Sequence, residues 1–321
     1  MKSSEMKLYF ATDIHGSQRC FNKFINAGKF YGANVLVMGG DITGKSVLFL
    51  CDHGNGNYVC NFVGKDYEFS TRTELDDFMK LVKSGGYYPC TATQDEIDTY
   101  LAKPEEMDKL FSTLMRSSLE EWIAFAETRL NGTGIRCYMM AGNDDPDEVD
   151  DFLRNSGSEI VENPEGHVVR LDDWHEMVGC GFSNRTPWNS PRECDEDELK
   201  QKIDVMMSDV QDPAHCVLVV HVPPYGSGLD DAPVLLDEQR VKSSMGQVEF
   251  APAGSTAVLA AIKQYGFQLS LHGHIHEAHA VKKIGNTIAI NPGSDYGEGT
   301  LHGALITFRQ DKLKNYQLVS G

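Results

Sequence analysis

At 321 residues, 41% of them apolar, the chain is long enough to bury the core of one large α/β domain or two ordinary ones. A formal charge of −18 and a pI near 5.0 argue against broad binding to nucleic acid or anionic membranes, both of which recruit cationic surfaces. The eight cysteines (Cys20, Cys51, Cys60, Cys90, Cys137, Cys180, Cys194, Cys216) form no CxxC pair or compact framework, which suits buried thiols in a reducing compartment, and none is assigned to metal.

Met1 to Met6 lead straight into an apolar strand and lack the apolar region of a signal peptide. No apolar run approaches membrane-spanning length, so the expected setting is cytoplasmic. Residues 8–12 read as a short buried strand, left by Asp13-Ile14-His15-Gly16-Ser17 before a helical pattern through Cys20, Phe21, Phe24, Ile25 and Phe30. Residues 35–38 form a second apolar strand that runs into Gly39-Gly40-Asp41. The strand-loop-helix rhythm then breaks. Residues 58–69 predict a hairpin around Gly64, residues 71–83 a helix, and Thr93 with Glu96 a capping box opening another. A long amphipathic helix over 104–130 returns to the rhythm, and its apolar stripe is read as packing. Residues 48–103 are therefore expected to be an insertion in a single domain covering 1–321.

The third strand, 135–141, delivers Gly142-Asn143-Asp144-Asp145-Pro146, and a helix follows to about residue 155. Strands over 157–160, 167–171 and 176–182 lead toward a second sheet, with a polar loop at 183–189 that could touch a substrate. After an acidic amphipathic helix at 195–210, the fully apolar strand 216–220 is of the kind a parallel sheet buries, and it ends at His221-Val222-Pro223-Pro224. A helix at 255–265 and a strand at 267–271 present His272-Gly273-His274-Ile275-His276. A hairpin over 280–290, the loop Asn291-Pro292-Gly293-Ser294 and strands at 303–308 and 313–318 close the chain.

Each of these loops has an ordinary reading: Asp13 as a helix cap, Gly-Asp and Asn-Asp-Asp as turns, His221 as a buried structural histidine. Imidazole is also the commonest metal ligand, and in extended backbone His274 and His276, two residues apart, project to one side. Taken together, five strand ends carry in order Asp-x-His, Gly-Asp, Gly-Asn, His-Val-Pro-Pro and Gly-His-Ile-His. With that combination the chain resembles the calcineurin-like metallophosphoesterase superfamily over essentially its whole length outside the insertion, and looks like its bacterial or archaeal branch of small phosphoesterases.

The resemblance implies a four-layer α/β/β/α sandwich with an inserted hairpin-helix segment and two metal ions at the sheet ends. It implies that Asp13, His15 and His276 hold one ion, that Asn143, His221 and His274 hold the other, and that Asp41 bridges them. His272 precedes the motif and is expected to support it. Nitrogen and oxygen donors without thiolate suit divalent or trivalent Fe, Mn, Zn, Co or Ni. The implied reaction is hydrolysis of a phosphomonoester or phosphodiester by a hydroxide shared between the ions, on a small-molecule substrate. Nuclease activity is disfavoured by the charge and by the absence of a basic, aromatic-interleaved strip.

One position departs from the pattern. Many members carry histidine directly after the Gly-Asn asparagine, where it stabilises the phosphoryl group or protonates the leaving oxygen, whereas here the residue is Asp144. Asp144 is expected to orient Asn143 or a water, with leaving-group protonation passing to another residue such as His302. The competing expectation is a metal-containing scaffold of the same fold with little turnover. The insertion is expected to cover the site or to form a subunit contact.

Overall fold

The computed structural model describes residues 5–236, 241–244 and 247–321. The chain begins with β1 (Glu5–Ala11), α1 (Gln18–Tyr31) and β2 (Val35–Met38). A local unit follows, made of β3 (Ser46–Asp52), β4 (Tyr58–Phe62), β5 (Lys65–Phe69), α2 (Arg72–Ser84), β6 (Tyr87–Ala92) and α3 (Gln94–Ala102). Next come α4 (Pro104–Leu130), β7 (Arg136–Met139), α5 (Asp147–Arg154), β8 (Val161–Glu162), β9 (Val168–Arg170) and β10 (Glu176–Cys180). The short strands β11 (Ser183–Asn184) and β12 (Glu193–Cys194) precede α6 (Glu196–Met207) and β13 (Cys216–Val220). An irregular excursion holds β14 (Asp231–Pro233), β15 (Ser243–Ser244), β16 (Gln247–Val248) and β17 (Phe250–Pro252). The chain ends with α7 (Thr256–Tyr265), β18 (Leu269–Leu271), β19 (Ala280–Ile284), β20 (Thr287–Asn291), β21 (His302–Arg309) and β22 (Lys312–Ser320).

Two six-stranded mixed sheets dominate, ordered β22-β21-β1-β2-β7-β8 and β19-β20-β18-β13-β10-β9. β1, β2, β7 and β8 run parallel in the first, as do β10, β13, β18 and β20 in the second. The central strands are apolar throughout because each buries both faces, one per alternating residue. Leu8 and Phe10 of β1 join Val217 and Val219 of β13 and Leu269 of β18 in one apolar cluster drawn from both sheets. The intervening residues Tyr9 and Ala11 pack with Phe21, Phe24, Leu119, Trp122 and Val149 of α1, α4 and α5. Val178, Leu218 and Val220 pack with Leu199, Ile203, Val258 and Ile262 of α6 and α7.

Local signals explain where α1 begins and ends. Ser17 accepts from the Cys20 N–H at its N-terminus, and Gly32 takes the left-handed conformation at its C-terminus, φ 64°. Phe21 stacks on Trp122 of α4 with ring centroids 4.2 Å apart and planes within 6°.

The expected hairpin over 58–69 is β4 and β5, but the unit around it is larger than a hairpin and helices. Its sheet has the order β5-β4-β3-β6, and β3 pairs in parallel with β6, forty-one residues on from Ser46 to Tyr87. That pairing is non-local, so no hairpin signal marks it. The strand expected at 157–160 is instead a turn, with β8 starting at Val161. Gly157 takes φ 68°, and the Ser158 hydroxyl accepts from the N–H groups of Ile160 and Val161, which displaces ladder pairing there. Among the described residues no helix is long and apolar enough to cross a membrane.

Candidate metal centre

The exits of β1, β2, β7, β13 and β18 converge, as ligand sites in parallel sheets do at carboxyl ends of strands. Main-chain bonds tie the loops together: Asp13 N–H donates to the Gly40 carbonyl (3.0 Å) and His15 N–H to the Asp41 carbonyl (3.0 Å). Gly273 N–H donates to the His221 carbonyl (2.8 Å). The His274 N–H reaches both Asp13 carboxylate oxygens at 3.1 Å. The Asn-Pro-Gly-Ser loop supports from behind, since the Asn291 amide donates to the carbonyls of Gly273 (2.9 Å) and Ile275 (3.1 Å), and Ser294 Oγ donates to that of Asp13 (2.6 Å). Gly142 must be glycine, because a Cβ there would lie 2.1 Å from Asp41 Oδ1.

All seven expected ligands come together. His15 Nε2 and His276 Nε2 face each other at 3.1 Å, with Asp13 Oδ1 3.5 Å from the latter and Asp41 Oδ2 3.7 Å from the former. His221 Nε2 lies 3.3 Å from Asp41 Oδ2 and 3.7 Å from Asp13 Oδ1. His274 Nδ1 meets Asn143 Oδ1 at 2.7 Å. Ligand atoms of three sets each lie within 4.8 Å of one another: Asp13, His15 and His276; Asp13, Asp41 and His221; His15, Asp41 and Asp144.

Four of the seven, Asp13 (φ 53°), His15 (φ 39°), Asp41 (φ 49°) and His274 (φ 67°), occupy left-handed backbone. That region costs a side-chain-bearing residue about 1–2 kcal/mol, so the fold holds these residues against a local preference.

The donor set fits a bound cation. His221 Nε2, the nitrogen that faces Asp13 and Asp41, is buried with no hydrogen-bond partner among the described residues, while the other nitrogen of His221 is fixed by the Gly39 carbonyl at 2.9 Å. Burial pulls His15 and His274 down to about 4. His221 goes the other way, to about 10, because the charges of Asp41 and Asp13 outweigh its burial. Burial alone would raise Asp13, but the charge of His221 and the hydrogen bond from His276 bring it to about 2.

Asp144 stands at the rim as an acceptor. Its Oδ1 takes hydrogen bonds from Ser190 Oγ (2.5 Å) and Asn143 Nδ2 (3.1 Å), and its Oδ2 pairs with Lys45. Its N–H donates to Asp41 Oδ1 at 3.0 Å. His302 is held elsewhere, by Asp295 Oδ2 (3.0 Å), His279 Nδ1 (3.2 Å) and the Pro292 carbonyl (3.2 Å), and none of these partners is among the seven. His272 is a support, with its ring nitrogens on the Val220 carbonyl and Ser270 Oγ, both at 2.9 Å. In the polar loop after β10, Arg185 pairs with Asp195 while Ser190, just beyond the expected 183–189 stretch, reaches the site.

Sequence reasoning missed four participants. Asp145, fully buried, accepts from the N–H groups of Gly142 (2.7 Å), Ile42 (3.0 Å) and Thr43 (2.9 Å), which ties the loop of Asp41 to that of Asn143. Tyr296 packs its ring 4.7 Å from His15 and 6.0 Å from His276. Lys45 and Ser190 complete the set. The Asn-Asp-Asp run drew attention to Asp145 only as turn chemistry, and single Lys, Ser and Tyr residues carry no spacing signal.

No family model matches the chain. Over 155 residues it is 32% identical to the uncharacterized protein MJ1162 of Methanocaldococcus jannaschii, a match covering 48% of this chain. The chain spans 62% of the length of that curated relative. Its fold is similar to the crystal structure of TT1561 of Thermus thermophilus, with a TM-score of 0.54 at 11% identity over 99% of both chains. The two proteins thus share a mixed α/β fold at a sequence identity too low to carry an activity across.

Proposed function

We propose that the protein is a dinuclear metal-dependent phosphoesterase that hydrolyses a phosphomonoester or phosphodiester of a small molecule. The observation that carries this reading is the convergence of Asp13, His15, Asp41, Asn143, His221, His274 and His276 from five strand exits on one largely buried patch, with the site-facing His221 Nε2 left unpartnered. The three apolar layers support the α/β/β/α sandwich as the frame that brings those exits together.

In this reading Asp13, His15 and His276 would hold one ion and Asn143, His221 and His274 the other. Asp41 would serve both, in keeping with its distances of 3.7 Å to His15 and 3.3 Å to His221. Two such ions, when bound, supply Lewis acidity toward a phosphoryl oxygen and lower the pKa of water. The protein's part is to keep the donors preorganised. Asp41 is fixed by the Asp144 N–H, and Asn143 by the Asp144 carboxylate. Because Asp144 accepts from Ser190 and Asn143 and pairs with Lys45, its role is to orient Asn143 rather than to donate a proton.

The test is metal analysis of chelator-stripped protein reloaded with Mn²⁺, with hydrolysis of p-nitrophenyl phosphate and of its bis ester measured on the same sample. Two ions per chain and turnover of at least one ester are expected. Two ions without turnover would convert the reading to a metal-binding scaffold, and no uptake would end it.

A further inference from the structure

The unit formed by β3 to α3 is fastened to the loops that carry the ligands. Gly86, at φ 89° before β6, has its Cβ position 2.2 Å from the His15 carbonyl oxygen, so only glycine allows this approach. Ser17 Oγ donates to the Ser84 carbonyl (2.6 Å), and Gly44 N–H donates to the Tyr88 hydroxyl (2.8 Å). The unit is therefore a fixed wall beside the β1 and β2 exits.

Between wall and exits lies a cavity of about 400 Å³, the size of a small-ligand pocket. Its two sides differ in chemistry. On one side stand His15, Lys45 and Arg19, with the carboxylate of Glu298 also in the lining; Asp144 steers Lys45, and Arg19 makes no ion pair among the described residues. On the other stand Tyr87, Leu81 and Val63, apolar side chains left 36%, 53% and 83% exposed. Exposed apolar groups that converge on one cavity have no role in the folded core. Phe62 packs against Tyr87 in a T-shaped arrangement, with centroids 5.2 Å apart and planes at 88°.

We propose that this cavity is the leaving-group pocket of the site and that it selects phosphate esters of planar aromatic alcohols. The phosphate lies on the side of His15, Lys45 and Arg19, and the aromatic ring lies against Tyr87. The proposal rests on the phosphoesterase reading for its catalytic half. The occupant follows from continuity: the polar side of the cavity, which carries Lys45 and Arg19, begins at His15, itself one of the seven converging donors.

The experiment is calorimetric titration of the Mn²⁺-loaded full chain with phenylphosphonate and methylphosphonate, probes with carbon–phosphorus bonds in place of the ester. Wild type should bind the phenyl compound about tenfold more tightly, the scale of one aromatic stacking contact. Tyr87→Ala should abolish that preference and Tyr87→Phe should retain it. Leu101→Ala, an exposed position outside the cavity lining, should leave it unchanged. Equal affinities in wild type, or a preference that survives Tyr87→Ala, would overturn the proposal. So would equal affinities alongside a dimer in sedimentation that Leu81→Arg splits, since a second copy would then be the occupant. Hydrolysis of p-nitrophenyl phosphate on the same samples separates the two readings. No turnover with a Tyr87-dependent preference removes the reaction and keeps the pocket, whereas turnover without the preference removes the pocket alone.

Discussion

Replacing Asp145 with alanine strips a buried acceptor from three main-chain N–H groups, those of Gly142 at 2.7 Å, Ile42 at 3.0 Å and Thr43 at 2.9 Å. The Thr43 hydroxyl at 2.5 Å also loses its acceptor. Each stranded, buried N–H costs about 1–3 kcal/mol. Part of that is offset, because Asp145 is itself a buried carboxylate near Asp41, and both burial and that charge raise its pKa. The net loss should be about 3–4 kcal/mol in urea unfolding of the metal-free protein. A second effect separates this from ordinary core damage. The three N–H groups belong to the loops of Asp41 and Asn143, so the affinity of refolded protein for Mn²⁺ should fall about 10–100-fold, as when a supporting partner of a metal ligand is removed. A loss under about 1 kcal/mol with unchanged metal affinity would refute the reasoning and make Asp145 a simple turn residue.

Asp144→Asn should lower turnover while leaving the shape of the pH–rate profile intact, because an orienting group is not titrated in the cycle; loss of the basic limb would instead assign it proton donation. Chelation should lower the melting temperature, and Mn²⁺ at 100 times its dissociation constant should restore about 2.7 kcal/mol; an unshifted melting curve would contradict a built site. Metal uptake should release protons to an indicator dye, since His221 carries one in the cation-free cluster. His272 is pulled by burial to about 4, below its ordinary 6.5. The unfolded chain therefore takes up that proton first, and as pH drops from 6.5 toward 4 this residue alone should lower native stability by about 3 kcal/mol. In His272→Gln the unfolding midpoint should lose less over that interval, and a slope identical to wild type would show the residue is not the titrating group.

The candidate site was legible because its residues advertise themselves locally. Strands such as 216–220 are apolar at every position, and each stops at a short run of Gly, Asp, Asn or His, so strand ends and their cargo could be named without knowing which strands were neighbours. The hairpin of β4 and β5 was visible for the same reason, since its turn joins adjacent residues. His302 shows the limit of that approach: an imidazole read from the sequence is a candidate donor, yet its partners are Asp295, His279 and Pro292.

The amino-acid order alone thus determined which side chains were available at the strand exits, since type and spacing are properties of the chain. Tertiary structure decided the rest. It set the parallel pairing of β3 with β6, the left-handed backbone at Asp13, His15, Asp41 and His274, the grip of Asp145 on two loops, and the pairing of Lys45 with Asp144. The physical reason is that each of these depends on the distance between groups far apart in the chain. A carboxylate becomes an orienting acceptor only when donors from other loops surround it, and a cation acquires a direction only when another loop holds its partner.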